Sequence, residues 1–335
     1  PPLPESSTFA KPTHPILVNG KARHVGDRVA FVVAETPDAA KDGGESVIVD
    51  FERLPAVHLS NAYSQDAAMV WEEADTNLCC EIENGDRSAV DDAFSRAAHV
   101  TSLHVRYPRA SANSIEPRAA LAYFDPIDGR FTICSTTQAP YRVKEVVSAV
   151  LGIPEISLRV IAPDIGGGYG MKGQVYPEEV LVAWAARKLN RPVKWTSDRS
   201  EGLSSDMHGR DQSTEAQLAL DLDGRILAMR ALITINVGAY LGYSGGTAPM
   251  NAGTSYASVY EIPMIHTVVR ATFTNSCPVG PYRGSGKPEA SLVIERLIDK
   301  AMREMSIDPI AMRRQNLVPA SAMPHRTPNG HVYDT

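Results

Sequence analysis

The sequence predicts an α+β fold in which strands and helices are mixed and hairpins are frequent. Apolar residues recur along most of the chain with either the period of a strand or the period of a helix. Turn sequences rich in Gly, Pro and Asp separate these segments, and no tandem repeat or low-complexity tract interrupts them. With 335 residues, of which 43% are hydrophobic and 21% charged, the chain is long enough for roughly two or three packed cores.

The composition argues against several classes of protein. No apolar run approaches the roughly 18 residues that a membrane-spanning helix needs, and the opening residues lack the profile of a signal peptide. A cytoplasmic location is therefore expected. The formal net charge is −6 and lysine and arginine form no block, which argues against a nucleic-acid partner and favours a small-molecule substrate.

The four cysteines lie at positions 79, 80, 134 and 277, without the spacing of metal ligands. No metal held by protein side chains is therefore predicted. In an alternating strand the adjacent residues Cys79 and Cys80 would point to opposite faces.

The N-terminal part predicts a β-α-β unit. Residues 24–36 have the pattern of a buried strand, residues 37–46 that of a short helix with Pro37 at its first position, and residues 47–55 that of a second strand. A turn-rich stretch extends to about residue 88, where residues 88–100 predict a helix capped by Ser88.

Strands and helices then alternate to the end of the chain. Proline near the first position and glycine after the last mark the helices, and Asp-Gly turns mark the hairpins. The predicted elements are a hairpin over 119–137, a helix over 139–152, a strand over 156–165, a helix over 177–190, a strand over 191–198, a hairpin over 214–240 and a helix over 288–317. In this last helix, apolar residues at the spacing of one buried face run from 293 to 305.

A glycine loop, "GGGYGMKG" at residues 166–173, lies between a predicted strand and a predicted helix. Glycine permits positive φ and lets backbone N–H groups converge on an anion. One interpretation is a tight turn with close packing. A second is dinucleotide binding, because Gly168 to Gly173 fit the G-x-G-x-x-G pattern and Asp198 closes the next strand.

A third interpretation takes three loops together. Gln138 in "TTQAP", the glycine loop, and Arg283 with Gly284 in "PYRGSGKPEA" each follow a predicted strand and precede a helix. The N-terminus of a helix favours negative charge. Three such loops predict the binding of one large anionic cofactor.

Ten segments in this order resemble a known family. They are "GDRVAFVVAET", "IEPRAALAYFD", "STTQAP", "DIGGGYGMK", "RPVKWTSDRSE", "HGRDQ", "NVGAY", "TNSCPVGPYRGSGKPEA", "ERLID" and "DPIAMRRQNL". The chain resembles the large, molybdopterin-binding subunit of the molybdenum hydroxylases, the family of xanthine dehydrogenase, aldehyde oxidoreductase and carbon monoxide dehydrogenase.

The resemblance implies a domain organisation and a set of partners. Residues 1–85 are expected to form the C-terminal part of an α/β hammerhead domain, and residues 86–335 the first molybdopterin-binding domain. A second molybdopterin domain, which is absent from this chain, is expected on another chain or in a missing C-terminal half. Iron–sulfur and FAD subunits or domains are expected to accept the electrons, and the cytosine dinucleotide form of the cofactor is favoured.

The resemblance also implies roles for individual residues. Gln138 resembles the glutamine that hydrogen-bonds an oxo ligand of the molybdenum. Gly166 to Gly170 resemble a second loop of the family. In that loop, backbone amides and an aromatic ring approach the pterin and the metal's ligands; the residues here are Gly166, Gly167, Gly168, Tyr169 and Gly170. Arg283 and Gly284 resemble the loop beside the metal centre. The implied activity is hydroxylation of an aldehyde or N-heteroaromatic carbon with water as the oxygen donor.

The chain departs from the family pattern at three places. Gly284 stands where copper-dependent carbon monoxide dehydrogenases have a cysteine, and Gly173 stands where purine-oxidising members have a glutamate. The glutamate that acts as the family's general base lies in the absent second domain. Glu178 and Glu179 fall in the first turn of a helix, where carboxylates commonly serve the helix dipole. The alternatives are an NAD-dependent oxidoreductase that uses residues 168–173 and a non-catalytic assembly fragment.

Overall fold

The computed structural model describes residues 12–334. The helices are α1 (Pro37–Glu45), α2 (Arg87–Ser95), α3 (Pro140–Leu151), α4 (Pro177–Leu189), α5 (Arg199–Ser205), α6 (Thr247–Thr254), α7 (Lys287–Met305) and α8 (Pro309–Asn316). The strands are β1 (Leu78–Gly85), β2 (His99–Ser111), β3 (Ala119–Asp125), β4 (Arg130–Ser135), β5 (Leu158–Ile161), β6 (Val193–Thr196), β7 (His208–Leu220), β8 (Ile226–Gly238), β9 (Ile265–Phe273), β10 (His325–Arg326) and β11 (Val332–Tyr333).

Two mixed sheets organise the fold. The larger has five strands in the order β1-β9-β8-β7-β2, and the smaller has four in the order β5-β4-β3-β6. The pairs β8–β9 and β4–β5 are parallel, and the other pairs in these two sheets are antiparallel. Strands β10 and β11 form a separate two-stranded sheet. This mixture of hairpins, crossovers and helices confirms the predicted α+β class.

Each sheet has its own core. The larger sheet packs against α6 and α7, and Ile233, Val269 and Leu297 are fully buried between them. The smaller sheet packs against α3 and α4, with Ile133 and Val147 fully buried. The predicted apolar face of α7 is confirmed, because its residues from 293 to 301 lie in the larger core and the methionines at 302 and 305 pack against it.

Several predicted boundaries need correction. Asp86 caps α2 by accepting a hydrogen bond from the amide of Ala89, so the predicted cap at Ser88 is wrong. The single helix predicted over 288–317 is two helices, because Ser306 adopts a left-handed conformation and Asp308 caps a new helix. The predicted hairpins are confirmed as β3–β4 and β7–β8.

The two strands predicted over 24–36 and 47–55 do not form, although the helix predicted between them does, as α1. A strand needs a neighbour to satisfy its backbone hydrogen bonds, and within residues 12–334 no strand pairs with either segment. In the second segment Ile48 and Phe51 are 95% and 62% exposed, whereas Phe31 of the first segment packs against the core of the smaller sheet. The domain boundary at residue 85 stays a prediction.

The stretch predicted as turn-rich contains β1, the edge strand of the larger sheet. A register shift between Leu78 and Cys80 marks a β-bulge, which sets two residues against one on the neighbouring strand. Cys79 and Cys80 are both buried, and the bulge interrupts the regular alternation on which their expected opposite orientation depends. No helix in the described part of the chain is both long enough and apolar enough to cross a membrane.

A buried ion cluster joins the smaller sheet to α4 and α5. The Arg118 guanidinium donates to Asp206, to Glu178 at 3.0 Å and to Ser205 at 3.1 Å, and it lies 3.8 Å from the ring centroid of Tyr176. Glu178 also accepts a hydrogen bond of 2.7 Å from Arg28. Burial alone would raise the pKa of Glu178, but the charges of Arg118 and Arg28 hold it at about 2.

Replacing Arg118 by methionine leaves Glu178 and Asp206 buried without their shared cation. We expect Arg118→Met to lower the free energy of unfolding by about 3–5 kcal/mol, as measured by urea denaturation. Arg191→Met is the control, because Arg191 and its partner Glu35 are 70% and 85% exposed. Its effect should stay below about 1 kcal/mol, and equal effects in the two variants would contradict a structural role for the cluster.

Candidate cofactor-binding site

Three loops meet at one cavity of about 390 Å³. Strands β4 and β5 are parallel neighbours. Their carboxyl ends therefore lie at the same edge of the smaller sheet, which brings the loop after β4 beside the glycine loop after β5. The third loop follows β9 of the larger sheet. The cavity is lined by Gln138, Tyr169, Gly170, Pro281, Tyr282, Arg283, Gly284 and Ser285.

Backbone hydrogen bonds connect the three loops. The amide of Gly170 donates to Oε1 of Gln138 at 2.9 Å, and the amide of Gln138 donates to the carbonyl of Lys172 at 2.9 Å. The amide of Arg283 donates to the carbonyl of Tyr169 at 2.9 Å. Since Oε1 of Gln138 accepts from the backbone, its NH₂ group is the end left for a ligand. Within residues 12–334, this NH₂ group has no hydrogen-bond partner.

The glycines allow the loops to approach one another. A Cβ on Gly168 would lie 2.5 Å from Oε1 of Gln138, and a Cβ on Gly170 would lie 2.5 Å from the carbonyl oxygen of Pro281. Gly170 also has a φ of +94°. Real Cβ atoms do not tolerate such distances, so a larger residue at position 170 would push the loops apart, and one at position 168 would displace the Gln138 side chain. Close packing, the first of the three interpretations, is therefore a property of this loop.

The loop's amides are largely used by the protein itself. The amide of Gly166 donates to Oε2 of Glu116 at 2.8 Å, that of Gly167 donates to the carbonyl of Ile165 at 2.9 Å, and that of Gly170 is taken by Gln138. The amides of Gly168 and Tyr169 have no partner among the described residues. The predicted nest of amides over residues 166–170 is thus reduced to these two.

Arg210 holds the Arg283 turn in place by a hydrogen bond to the backbone of Arg283. The Arg283 carbonyl accepts a hydrogen bond of 2.9 Å from Nη2 of Arg210, whose Nη1 lies 3.0 Å from both carboxylate oxygens of the buried Glu289. Arg210 and the next residue, Asp211, both adopt positive φ, at 66° and 61°. Non-glycine residues rarely adopt this conformation, and such strain is common at functional sites. The side chain of Arg283 itself is exposed.

The lining of the cavity is rich in hydrogen-bond donors. The lining contains four donor groups: the Gln138 side-chain amide, the Tyr169 hydroxyl, the Arg283 guanidinium and the Ser285 hydroxyl. Ser285 is buried, and its Oγ has no hydrogen-bond partner among the described residues. Among residues 12–334, no carboxylate lines the cavity. Such a donor set suits an anionic ligand that is rich in oxygen. Within residues 12–334 no group of three His, Cys, Asp or Glu residues could hold a metal ion.

The structure gives no support to dinucleotide binding. The carboxylate of Asp198 caps α5 by accepting from the amide of Glu201 at 2.7 Å, so it is occupied. Helix α4 begins at Pro177, several residues after the glycine loop, whereas a dinucleotide fold needs a helix that starts within the glycines.

Glu178 and Glu179 are more than dipole partners. Glu178 belongs to the ion cluster around Arg118. The Glu179 carboxylate accepts from the Ser135 hydroxyl at 2.6 Å and from the Tyr176 amide at 3.0 Å. Burial raises the pKa of Glu179 to about 7. Neither residue lines the cavity.

Three residues around the site received no individual site role from the sequence. Arg210 lies in the family segment "HGRDQ", whose Gly209 leaves room for Tyr282, because a Cβ there would lie 2.3 Å from the Cβ of Tyr282. Glu116 and Lys172 pair with each other at 2.9 Å. Although Glu116 and Arg118 are close in sequence, they do not pair with each other, because Arg118 is bound to Glu178 and Asp206.

A larger cavity of about 740 Å³ lies on the face of the larger sheet. Two of its lining residues are engaged in ion pairs: Arg230 pairs with Asp91 of the same lining at 3.0 Å, and His266 pairs with Glu83, which lies outside the lining, at 2.6 Å. None of the three loops reaches it. The smaller cavity is therefore the candidate site.

Comparison with known proteins identifies the family of the chain. Residues 70–317 match the molybdopterin cofactor-binding domain. The chain is 35% identical over 96% of its length to the nicotine 6-hydroxylase large subunit of Paenarthrobacter nicotinovorans, of which it covers 40%. It is 33% identical over 98% of its length to the carbon monoxide dehydrogenase large chain of Hydrogenophaga pseudoflava, of which it covers 43%.

A solved structure gives the same result for the fold. The chain superposes on quinoline 2-oxidoreductase from Pseudomonas putida 86 with a TM-score of 0.90 and 32% identity, covering 96% of this chain and 41% of that one. The chain thus spans about two fifths of the length of the relatives it matches. The resemblance derived from the ten segments is confirmed: the chain belongs to the molybdopterin cofactor-binding domain family.

Proposed function

We propose that this chain supplies one side of the active site in a molybdenum hydroxylase. The enzyme would hydroxylate a carbon of an aldehyde or an N-heteroaromatic ring with water as the oxygen donor. The observation that carries the proposal is the convergence of Gln138, the glycine loop and the Arg283 turn on one cavity. Relatives named for nicotine and quinoline support the N-heteroaromatic class.

The residues present fit the cofactor. The lining offers the Gln138 NH₂ group, the Arg283 guanidinium and the buried hydroxyl of Ser285, all of which donate to oxygen. The amides of Gly168 and Tyr169 add two more donors on the glycine loop. When bound, the molybdenum cofactor supplies the redox centre that takes two electrons from the substrate.

The chain's own residues would bind and orient the ligand in the cavity. The hydrogen bond from Gly170 holds Gln138 with its NH₂ group directed away from the backbone, so this donor is in place before a ligand arrives. Arg283 adds positive charge at the opposite loop, on a turn that Arg210 fixes through its carbonyl. Both features stabilise negative charge on a ligand between the loops.

Gly284 argues against carbon monoxide as the substrate. This residue has a φ of +93°, and a Cβ at this position would lie 2.5 Å from Cγ of Pro288. A cysteine is therefore excluded without movement of Pro288, and a thiolate is the ligand that copper(I) prefers. Molybdenum–copper chemistry on carbon monoxide is accordingly not proposed.

The site needs a proton acceptor from elsewhere. The part of the chain that the structure describes places no carboxylate in the cavity lining, and Glu179 is occupied by Ser135 and the Tyr176 amide. We therefore propose that a second molybdopterin domain, on another chain or in the same protein, contributes the general base. Iron–sulfur and FAD partners that carry the electrons onward, the cytosine dinucleotide form of the cofactor and a cytoplasmic location complete the proposal.

The cofactor assignment is tested on the full protein purified with its natural partners. We expect stoichiometric molybdenum by mass spectrometry, and a cytosine nucleotide after acid hydrolysis of the released pterin, measured by chromatography. A preparation grown with tungstate serves as the control and should lose the molybdenum. A protein with neither molybdenum nor pterin would overturn the proposal.

Gln138→Ala removes the oriented donor while leaving the backbone bond to Lys172. We expect kcat to fall by about 10-fold or more, because a positioned hydrogen bond that stabilises charge is lost. Steady-state kinetics and molybdenum content are measured together, and the metal should be retained. Gln315→Ala, on α8, is the matched control and should match the unsubstituted enzyme. An unchanged kcat in Gln138→Ala removes this residue from the site.

Gly168→Ala places a methyl group where Gln138 now lies. Because the two side chains would be 2.5 Å apart, Gln138 must move, and we expect kcat to fall by about 10-fold or more. Gly44→Ala in α1 adds a methyl group with no atom within 4 Å and should leave kcat unchanged. Equal kcat values for the two variants would show that the close approach has no catalytic importance.

A further inference from the structure

Glu116 connects the two ends of the glycine loop through one atom. Its Oε2 accepts a hydrogen bond of 2.8 Å from the amide of Gly166, at the start of the loop. The same oxygen accepts a hydrogen bond of 2.9 Å from Nζ of Lys172, at the end of the loop. The backbone agrees with this arrangement, since the amide of Glu116 donates to the carbonyl of Gly166 at 3.3 Å.

Lys172 is buried and links the glycine loop to Gln138. Its side chain is 0% exposed, so its ammonium group depends on the carboxylate of Glu116 for compensation. Its backbone amide donates to the carbonyl of Gly168 at 3.3 Å, and its carbonyl accepts from the amide of Gln138 at 2.9 Å. A displacement of Lys172 would therefore move both the loop and the glutamine.

The segment that carries Glu116 is itself held in place. Arg199 donates to the carbonyls of Ser114 and Ile115, each at 2.8 Å, and the Ser114 hydroxyl donates to the carbonyl of Glu116 at 2.7 Å. A Cβ on Gly166 would lie 2.6 Å from the Cβ of Glu116, so the first glycine is where the loop passes this anchor. The hydrogen bond from Lys172 lowers the pKa of Glu116, which keeps the carboxylate charged.

We propose that Glu116 is a positioning residue for the cofactor loop: its carboxylate closes residues 166–172 into a fixed shape and so holds the loop against Gln138. Glu116 does not line the cavity, and it acts through the loop and Lys172. We call this pair of hydrogen bonds, from the Gly166 amide and the Lys172 ammonium to Glu116, the clasp. Its importance for turnover rests on the proposed function. The clasp itself is a property of this chain's own residues.

The first test measures the loop directly. Hydrogen–deuterium exchange of the full protein, prepared without cofactor, is followed by mass spectrometry on peptides that cover residues 166–172. In Glu116→Ala we expect exchange of these amides to rise by about 10-fold or more, as for the loss of hydrogen bonds to a charged acceptor. Glu116→Gln keeps an acceptor oxygen for the Gly166 amide but leaves the Lys172 ammonium without a counter-charge, so we expect it to restore only part of the protection.

The matched control is Glu304→Ala. The Glu304 side chain is 34% exposed, close to the 36% of Glu116, and it also accepts hydrogen bonds, from Thr101 and His99. It lies away from the cavity. Exchange of residues 166–172 should be unchanged in this control, and exchange in β4 and α4 should be unchanged in all three variants.

The second test uses the full protein loaded with cofactor. We expect Glu116→Ala to contain less molybdenum and to have a lower kcat per molybdenum, and Glu116→Gln to recover both in part. Unchanged exchange of residues 166–172 in Glu116→Ala overturns the clasp, whatever cofactor the protein binds. Faster exchange with unchanged molybdenum content and kcat overturns the positioning role. Absence of molybdenum from the unsubstituted protein contradicts the proposed function, while the exchange measurement still decides the clasp.

Discussion

The close approach of the glycine loop to Gln138 is the contact on which the cavity depends. Parallel pairing of β4 and β5 brings the two loops to one edge, but the distances are possible only because Gly168 and Gly170 lack a Cβ. The amide of Gly170 then fixes which end of the Gln138 side chain faces the cavity. Backbone geometry thus determines the chemistry that this side chain offers. The Arg283 turn closes the third side through its bond to the carbonyl of Tyr169.

Cations next to these loops pair with carboxylates and so keep negative charge out of the cavity lining, which leaves hydrogen-bond donors there. Lys172 pairs with Glu116, Arg210 with Glu289, and Arg118 with Glu178 and Asp206. Each of these carboxylates is satisfied away from the cavity, and its described lining carries no negative charge. Removing one member of such a pair leaves a charge without compensation, which costs far more than the pair contributes. The same pairs that stabilise the fold therefore also keep the site suited to an anionic ligand.

The sequence predicts the parts of this arrangement that local signals encode. Pro140 and Pro177 mark helix starts, and Gln138, the glycines and Arg283 fall in loops that the family pattern identifies. Contacts between distant residues have no local signal: 56 positions separate Glu116 from Lys172, and 73 separate Arg210 from Arg283. The strands predicted over 24–36 and 47–55 failed for a related reason, because alternation of apolar residues predicts a strand but not the neighbour that a strand needs.

The distribution of acids and donors bears on how the proposed site would work. A hydroxylation needs groups that stabilise negative charge and a group that accepts a proton, and the two are hard to combine in one cluster because each shifts the pKa of the other. Gln138 and Arg283 are of the first kind. A carboxylate placed among them would have its pKa lowered by Arg283 and become a weaker base. Glu179 has a pKa raised to about 7, yet its oxygens are used by Ser135 and Tyr176. A base that approaches from a different domain, across the exposed side of the Arg283 turn, avoids this conflict, since its own surroundings then set its pKa.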